Sequence, residues 1–304
     1  MQTQENAAPA SITAFAGQRI FSADCSAVRC GRKGSGTSVA VSGIDVSRWQ
    51  GRIDWQRVKN AGVSFALLRA GYGDTLSYPS QLDETFEYNY AECKRVGVNV
   101  GAYWYSYATT PEMARQEAKS CIAALKGKQY EYPIYYDVEE QRIFATGRTD
   151  SIIKAFCEEL ESAGYWVGLY SFRFALERYI SPEVTQRYAV AVAEYAGSCG
   201  YKGQYGIWQN SSTWRVDGIS GNVDHDWCYL DYPTMIKQNG KNGFPKPAPK
   251  LMYKVIKDTP IVQFEGEAEA GQTRQVYGRK TVCGVQYGGV TKNGWISLKD
   301  CKQV

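Results

Sequence analysis

Glu131-Tyr-Pro-Ile-Tyr-Tyr-Asp-Val-Glu-Glu140 is the stretch from which the fold of this chain can be worked out. Its apolar and aromatic run, bounded by Pro133, predicts a buried strand that ends in two carboxylates, Asp137 and Glu139. Because side chains two residues apart on a strand share a face, the two acids lie side by side. Charged residues are seldom fully buried without partners, so we expect the pair to face a cleft. A solvated acidic loop at the end of the strand is the alternative interpretation.

Strands and helices alternate on both sides of this stretch, with short connections. Residues 53–62 predict a helix, because Asp54 can cap its start and Gly62 can end it, and Pro111 predicts the first turn of another helix. Such alternation is typical of a parallel sheet with crossover helices. Roughly seven or eight strands within about 190 residues are compact for a repeated β/α barrel, so we expect some helices to be missing. The last predicted strand covers residues 218–226.

The two ends of the chain differ in composition from its centre. Residues 1–42 are rich in Ala, Ser, Gly and Thr and predict a flexible N-terminal extension. The β/α barrel is predicted at 43–238 and is followed by a Pro/Gly/Lys linker at 239–250. Short β-type runs at 251–304 then predict a small all-β domain.

The formal net charge of +4 is concentrated in the C-terminal part of the chain. Residues 250–304 contain nine Lys and Arg against five Asp and Glu. This mild excess suits an anionic polymer surface better than sequence-specific nucleic-acid binding, for which neither a basic recognition helix nor a zinc-ligand pattern is present. No stretch reaches transmembrane length. The start, Met1-Gln-Thr-Gln-Glu5, lacks the regions of a signal peptide, so we expect a signal already removed or another export route.

Nine cysteines are many for a cytosolic enzyme, yet they form no CxxC pairs typical of a zinc or redox site. We therefore expect neither a metal nor a cofactor. A Cys25–Cys30 bridge would close a small loop, and a Cys283–Cys301 bridge would stabilise a C-terminal domain too small for much core of its own. Three other cysteines fall in helix-like patterns and are predicted to be small buried hydrophobic residues: Cys93, Cys121 and Cys157.

Four acids stand at or near the ends of predicted strands, where the working residues of a β/α barrel lie: Asp45, Asp137, Glu139 and Asp224. Two carboxylates in a cleft are the minimum for acid–base work on a glycosidic bond. The only histidine, His225, is the strand neighbour of Asp224 and is expected to face away from the cleft. Five aromatic residues are candidates to line a sugar groove, with core packing as the competing interpretation for each: Tyr103, Tyr105, Tyr136, Tyr170 and Trp208.

Several motifs occur in a fixed order: Gly43-Ile-Asp-Val-Ser-Arg-Trp-Gln50, Asp54-Trp55, Phe65-Ala-Leu-Leu-Arg-Ala-Gly-Tyr-Gly73, Gly101-Ala-Tyr-Trp-Tyr105, Tyr136-Asp-Val-Glu139, Ile207-Trp-Gln209 and Gly221-Asn-Val-Asp224. Together they resemble the family 25 glycoside hydrolases, lysozymes of the N,O-diacetylmuramidase type, over about residues 43–232. The resemblance implies an irregular (β/α) barrel of TIM type with fewer helices than strands. It also implies cleavage of the β-1,4 bond between N-acetylmuramic acid and N-acetylglucosamine in peptidoglycan. One departure is Val192, where the family often has Trp.

The resemblance places the family's acidic cluster on Asp45, Asp137, Glu139 and Asp224. We assign Glu139 as the general acid, because neighbouring carboxylates raise the pKa of such a group. Asp137 would be its ionised partner, acting on the sugar ring or holding the substrate's own N-acetyl group. Asp45 and Asp224 would orient the substrate and the catalytic groups.

Gly294-Trp-Ile-Ser-Leu-Lys299 and the strand spacing around it resemble a bacterial SH3-type cell-wall-binding domain. We therefore expect a monomer that acts on peptidoglycan glycan strands, binds wall polymers through its C-terminal domain, and is secreted and wall-associated or, alternatively, a phage endolysin. A chitinase is disfavoured, since no D-x-D-x-E pattern precedes Glu139. The alternative from another class is an inactive wall-binding or scaffold protein, which would release no new reducing ends from peptidoglycan.

Overall fold

The structure is a computed structural model that describes residues 40–247 and, beyond them, short segments between 251 and 303. The described chain divides into two compact units, one ending at Ile236 and the other beginning at Lys237. The predicted extension, apart from its last residues, and the side chains of both proposed cysteine bridges lie outside the described residues. The bridges and the predicted domain boundaries therefore stay predictions.

Eight strands of the first unit close into a barrel in chain order. They are β1 Val41–Val46, β2 Phe65–Tyr72, β3 Asn99–Tyr105, β4 Ile134–Asp137, β5 Val167–Phe172, β6 Ala189–Ala193, β7 Ile207–Trp214 and β8 Val223–Cys228. The strands from β1 to β7 are parallel to their neighbours, whereas β8 is antiparallel to both β7 and β1. The predicted barrel is thus confirmed.

The reversed direction of β8 was not predicted from the sequence. A parallel return needs a crossover of roughly a dozen residues or more, usually with a helix. The connection at 215–222 is shorter, holds no helix and turns at Gly218 and Gly221, whose φ values are 100° and 102°. Residues 218–222 therefore form the turn, and the strand begins only at Val223.

The described residues form eight α-helices: α1 Trp55–Asn60, α2 Phe86–Val96, α3 Pro111–Leu125, α4 Gln141–Phe144, α5 Thr149–Ser162, α6 Arg173–Arg178, α7 Pro182–Arg187 and α8 Tyr232–Gln238. As predicted, Asp54 caps α1 by accepting from two backbone N–H groups, and Pro111 occupies the first turn of α3. No helix follows β6 or β7 within the continuous stretch 189–228. Two of the eight barrel strands therefore have no helix after them, in agreement with the prediction that some helices are missing. No helix of the described part is both long and apolar enough to cross a membrane.

The second unit contains short antiparallel strands, in agreement with the predicted all-β character. They are β9 Leu251–Val255, β10 Thr259–Val262, β11 Glu267–Ala268, β12 Thr273–Val276, β13 Gly278–Val282, β14 Val285–Gly289, β15 Trp295–Ser297 and β16 Cys301–Gln303. Their orders are β11-β10-β15-β14-β13 in one sheet and β12-β9-β16 in the other. The SH3-like assignment stays a prediction.

Side chains along the barrel strands alternate between an outer core beneath the helices and the barrel interior. The outer core contains the three cysteines predicted to be buried, and all three are free thiols. On the floor of the interior, Phe65 stacks on Tyr132 with ring centroids 4.3 Å apart. Gly43 leaves room for this stack, because a Cβ there would lie 2.2 Å from the Phe65 ring. The floor closes one end of the barrel and leaves the other end open.

Candidate active site

A cleft of about 270 Å³ opens at the carboxyl ends of the parallel strands. Its walls come from every barrel strand except β6, with one group of residues from the turn after β1. The lining residues are Asp45, Val46, Ser47, Trp49, Gln50, Leu67, Arg69, Tyr103, Tyr105, Tyr135, Asp137, Glu139, Tyr170, Gln209, Asp224 and Asp226. Seven of the nine residues predicted from the sequence are therefore brought together in one cavity.

Tyr136 and Trp208 do not line this cleft, which corrects the expectation that they do. Each directly precedes an inward-facing residue on its strand, so each points to the outer face. Tyr136 stacks on Phe156 at 3.8 Å between centroids, and its hydroxyl donates to Glu117 at 2.6 Å. The Trp208 indole N–H donates to the backbone oxygen of Glu194 at 2.8 Å. Both rings belong to the outer core, as the alternation along the strand would have indicated.

Asp137 and Glu139 are neighbouring acids, and the pKa of each carboxyl is raised. Asp137 is only 5% exposed, and its Oδ1 has no hydrogen-bond partner among the described residues. Burial, and then the charge of Glu139, hold the pKa of Asp137 well above its usual range, while the Arg69 guanidinium opposes them. Burial likewise raises the pKa of Glu139 to about 7, and the charge of Asp224 adds to this shift. The pair is thus poised to hold a proton near neutral pH.

Arg69 is the one basic residue among the described residues that line the cleft. Its Nε and Nη2 both lie 2.8 Å from Oδ2 of Asp83, which also accepts from the backbone N–H of Arg48 at 3.0 Å. This pairing fixes the guanidinium beside the acids and leaves them with little compensating charge. Arg69 was not predicted as a site residue from the sequence, although it shares the strand face of Phe65 and Leu67.

A second group of acids lies where β1 meets β8. Asp45 and Asp224 are direct partners in that antiparallel ladder, and Asp226 follows on the same face of β8 with 1% exposure. Burial raises the pKa of all three, and the other carboxylates add to the shift of Asp45 and Asp226. Gln209 donates from Nε2 to Oδ2 of Asp45 at 2.6 Å. Neither Asp226 nor Gln209 was predicted as a site residue from the sequence.

The sole histidine faces away from the cleft, as expected. His225 lies between Asp224 and Asp226 on β8, and its ring nitrogens are hydrogen-bonded to Ser42 Oγ at 2.9 Å and Asn210 Oδ1 at 2.7 Å. The same alternation that turns His225 outward turns Asp226 inward. Counting two residues on from Asp224 would therefore have identified the fifth acid.

The rim of the cleft presents aromatic surface beside polar groups, as a sugar site requires. Trp49 is 74% exposed on a turn whose start is fixed by reciprocal hydrogen bonds between Ser47 and Gln50. On another wall, the Tyr105 hydroxyl donates to Oε1 of Glu140 at 2.9 Å. Trp49 and Tyr105, each on a wall that hydrogen bonds hold in place, therefore lie on the rim around the acids.

The chain matches the family model described as Glycosyl hydrolases family 25 over residues 44–219. The modular autolysin LytC of Streptococcus pneumoniae is 30% identical, with a TM-score of 0.56, and the match covers 64% of this chain and 48% of that one. Its structure in complex with a synthetic peptidoglycan ligand matches equally well. A bacterial lysozyme of Streptomyces coelicolor is 25% identical, with a TM-score of 0.54, over 62% of this chain and 92% of that one.

The autolytic lysozyme of Clostridium acetobutylicum is 27% identical over 187 residues, which is 61% of this chain and 55% of that protein. The chain therefore spans about half the length of the two autolytic enzymes that it matches.

Proposed function

The chain belongs to glycosyl hydrolases family 25, and on that basis we propose that it is a lysozyme of the N-acetylmuramidase type. Its substrate would be the glycan strand of peptidoglycan, cut at the β-1,4 bond between N-acetylmuramic acid and N-acetylglucosamine. The observation that carries the proposal is the pair Asp137 and Glu139 in the barrel cleft, with the pKa of Glu139 raised to about 7. The peptidoglycan ligand bound by the pneumococcal autolysin supports the choice of substrate.

Glu139 would act as the general acid. A carboxyl group with a pKa near 7 is largely protonated at slightly acid pH and can pass its proton to a leaving glycosidic oxygen. Its side chain is only partly buried, so that oxygen can approach it. Asp224 contributes by its charge, which raises the pKa of Glu139.

Asp137 would hold the acetamido group of the muramic-acid sugar. Its Oδ1 has no hydrogen-bond partner among the described residues, and the acetamido N–H would supply a donor. A hydrogen bond to the charged form of Asp137 would favour ionisation against the burial that now raises its pKa. The acetamido oxygen would then bond to the anomeric carbon as the glycosidic C–O bond breaks, and the leaving oxygen would take the proton of Glu139. Water, losing a proton to the Glu139 carboxylate, would open the cyclic intermediate.

Mass spectrometry of the fragments released from a defined peptidoglycan tests this function. A muramidase leaves N-acetylmuramic acid at the new reducing ends, and the Glu139→Gln variant serves as the blank. N-acetylglucosamine at those ends, or no release at all by the natural chain, would contradict the proposal. Peptidoglycan whose muramic acid lacks the N-acetyl group tests the assisted step, because direct attack by Asp137 would tolerate that substrate and assistance would not.

For the C-terminal unit we propose an SH3-like domain that binds anionic wall polymers. Its antiparallel strands and its excess of basic residues support this role. The enzyme would then work as a monomer at the cell wall, either secreted or as a phage endolysin. Co-sedimentation with purified walls should weaken as salt rises through the range in which surface charges are screened. Binding that is unaffected by salt would argue against an electrostatic contact.

A further inference from the structure

We propose that Gln209 is a positioning residue of the acidic cluster, holding Oδ2 of Asp45 as an acceptor so that any proton on Asp45 is carried by Oδ1. Gln209 is 2% exposed on β7, and its amide lies inside the barrel between β1 and β5. The consequence for catalysis rests on the proposed lysozyme function. The arrangement of hydrogen bonds around Gln209 is independent of that function.

The orientation of the Gln209 amide is fixed by contacts at both of its ends. The Tyr170 and Tyr195 hydroxyls both donate to Oε1, each at 2.9 Å, and so occupy both acceptor sites of that oxygen. Nε2 is thereby turned toward Asp45, to which it donates at 2.6 Å. A reversed amide would place a carbonyl oxygen against Oδ2 of the ionised Asp45 carboxylate at that short distance, where two acceptors repel.

Asp45 is surrounded by groups that compete for the same proton. The titratable and charged groups facing it from the other strands and the β6–β7 connection are Asp224, Asp226, Asp137, Tyr103, Tyr170, Tyr195 and Arg69. Asp224 and Asp226 lie within hydrogen-bonding reach of Asp45, and Oδ2 of Asp226 has no hydrogen-bond partner among the described residues. Three neighbouring carboxylates in a cavity cannot all ionise, so they share protons.

Gln209 determines how that sharing is arranged. An N–H donor at Oδ2 favours the ionised form of Asp45, which lowers the pKa of this carboxyl against the strong upward effect of burial. A carboxylic acid oxygen that bears the proton is a poor acceptor, so the proton that Asp45 does hold belongs on Oδ1. Because Asp224 acts on Glu139 by its charge, the amide at Gln209 indirectly sets the charge that the general acid experiences.

Two substitutions separate this role from simple packing. Gln209→Met keeps the length of the side chain and removes the donor at every pH. Gln209→Glu keeps the shape, and its carboxyl donates to Asp45 only while it is protonated. A packing role predicts that each variant loses a fraction of activity that does not depend on pH. A positioning role predicts loss at every pH for Gln209→Met, and loss only as pH rises for Gln209→Glu.

The test combines pH profiles of kcat and KM on soluble peptidoglycan with titration of ¹³C-labelled aspartate carboxyls by NMR in the full chain without substrate. We expect Gln209→Met to lower kcat about tenfold or more with little change in KM, because a hydrogen bond to a charged group is lost. Its Asp45 carboxyl should titrate at higher pH than in the natural chain. Gln209→Glu should approach natural activity at acid pH and lose it toward neutral pH. Thermal unfolding checks that both variants fold.

Equal fractional losses for the two variants at every pH, or an unchanged Asp45 titration in Gln209→Met, would overturn the proposal. The NMR titration needs no catalysis. If the natural chain releases no fragments from peptidoglycan, the proposed function fails, while the titration still decides whether Gln209 positions Asp45.

Discussion

The floor and the cleft of the barrel are built from the same strands and are organised in opposite ways. On the floor, Phe65 stacks on Tyr132, and the glycine at position 43 leaves room for the Phe65 ring. Two residues after Gly43 on β1, Asp45 lies in a cluster of acids that has little compensating positive charge. The floor therefore contributes stability through packing, whereas the cleft gives up stability to hold carboxyl groups ready to exchange protons.

A buried acid on the outer face shows that burial alone does not make a carboxylate reactive. Glu117 on α3 is 3% exposed and accepts from the Ser106 hydroxyl at 3.0 Å, the Tyr107 N–H at 2.7 Å and the Tyr136 hydroxyl at 2.6 Å. Asp137 is buried to a similar degree, and its Oδ1 has no hydrogen-bond partner in the part of the chain that the structure describes. Fully satisfied acids hold a structure together, and unsatisfied ones are available to a substrate.

The largest expected effect comes from Glu139→Gln, which removes the proposed proton donor and keeps its shape. We expect kcat for release of reducing ends to fall at least about a hundredfold, since general acid catalysis contributes that much or more. Unfolding by heat should show no loss of stability, because the cleft does not hold the fold together. Glu140→Gln is the matched control: it removes the neighbouring carboxylate, and its amide oxygen can still accept from Tyr105. Equal losses in the two variants would contradict the assignment.

The pH dependence of kcat/KM in the natural chain should reflect the raised pKa of Glu139. Because the pKa of Glu139 is raised to about 7, kcat/KM should fall as pH rises through that value, by about tenfold per pH unit once the acid has lost its proton. Asp224→Asn removes a charge that raises this pKa, so the midpoint should move to lower pH. Coincident midpoints for the two proteins would show that Asp224 does not act on the general acid.

The floor of the barrel should lose stability when side-chain volume is added to it. Gly43→Ala introduces a Cβ 2.2 Å from the Phe65 ring, and overpacking of this kind costs about 1–3 kcal/mol. The free energy of unfolding in urea should fall by that amount. Gly197→Ala is the control, since a Cβ there meets nothing within 4 Å. A Gly43→Ala variant as stable as the control would show that the floor is not close-packed.

Local signals in the sequence were sufficient for most elements and for the central acids. Asp54 and Pro111 mark helix starts by short-range hydrogen bonding and backbone restriction, so both were predictable. The apolar run before Asp137 specified a strand because its side chains fill an interior on both faces.

Features that depend on distant parts of the chain were not predictable in this way. The reversal of β8 depends on a connection too short for a crossover, and the Arg69–Asp83 pair joins two segments that only the folded barrel brings together. Asp226 was within reach, because alternation from Asp224 turns it inward, and the same rule would have placed Tyr136 in the outer core. Alternation along the strand places both residues correctly, whereas the aromatic character of Tyr136 had suggested the cleft.

The smallest expected effect is a gain in stability for Asp226→Asn at neutral pH. Burial and the charge of Asp224 hold the pKa of Asp226 well above its unfolded value. At pH values between the unfolded pKa and the folded pKa, the folded state therefore binds more protons than the unfolded state. The natural chain therefore loses stability as pH rises from about 4 toward neutral, and asparagine, which cannot ionise, escapes that loss. We expect an advantage in Tm of about 2–4 °C at pH 7 that vanishes near pH 3. Asp83→Asn, which removes the negative charge that pairs with the mostly buried Arg69 guanidinium, should instead lower Tm at pH 7. If Asp226→Asn behaved like Asp83→Asn, the acids of the cleft would be structural in the manner of Glu117, and the contrast between the two interiors would disappear.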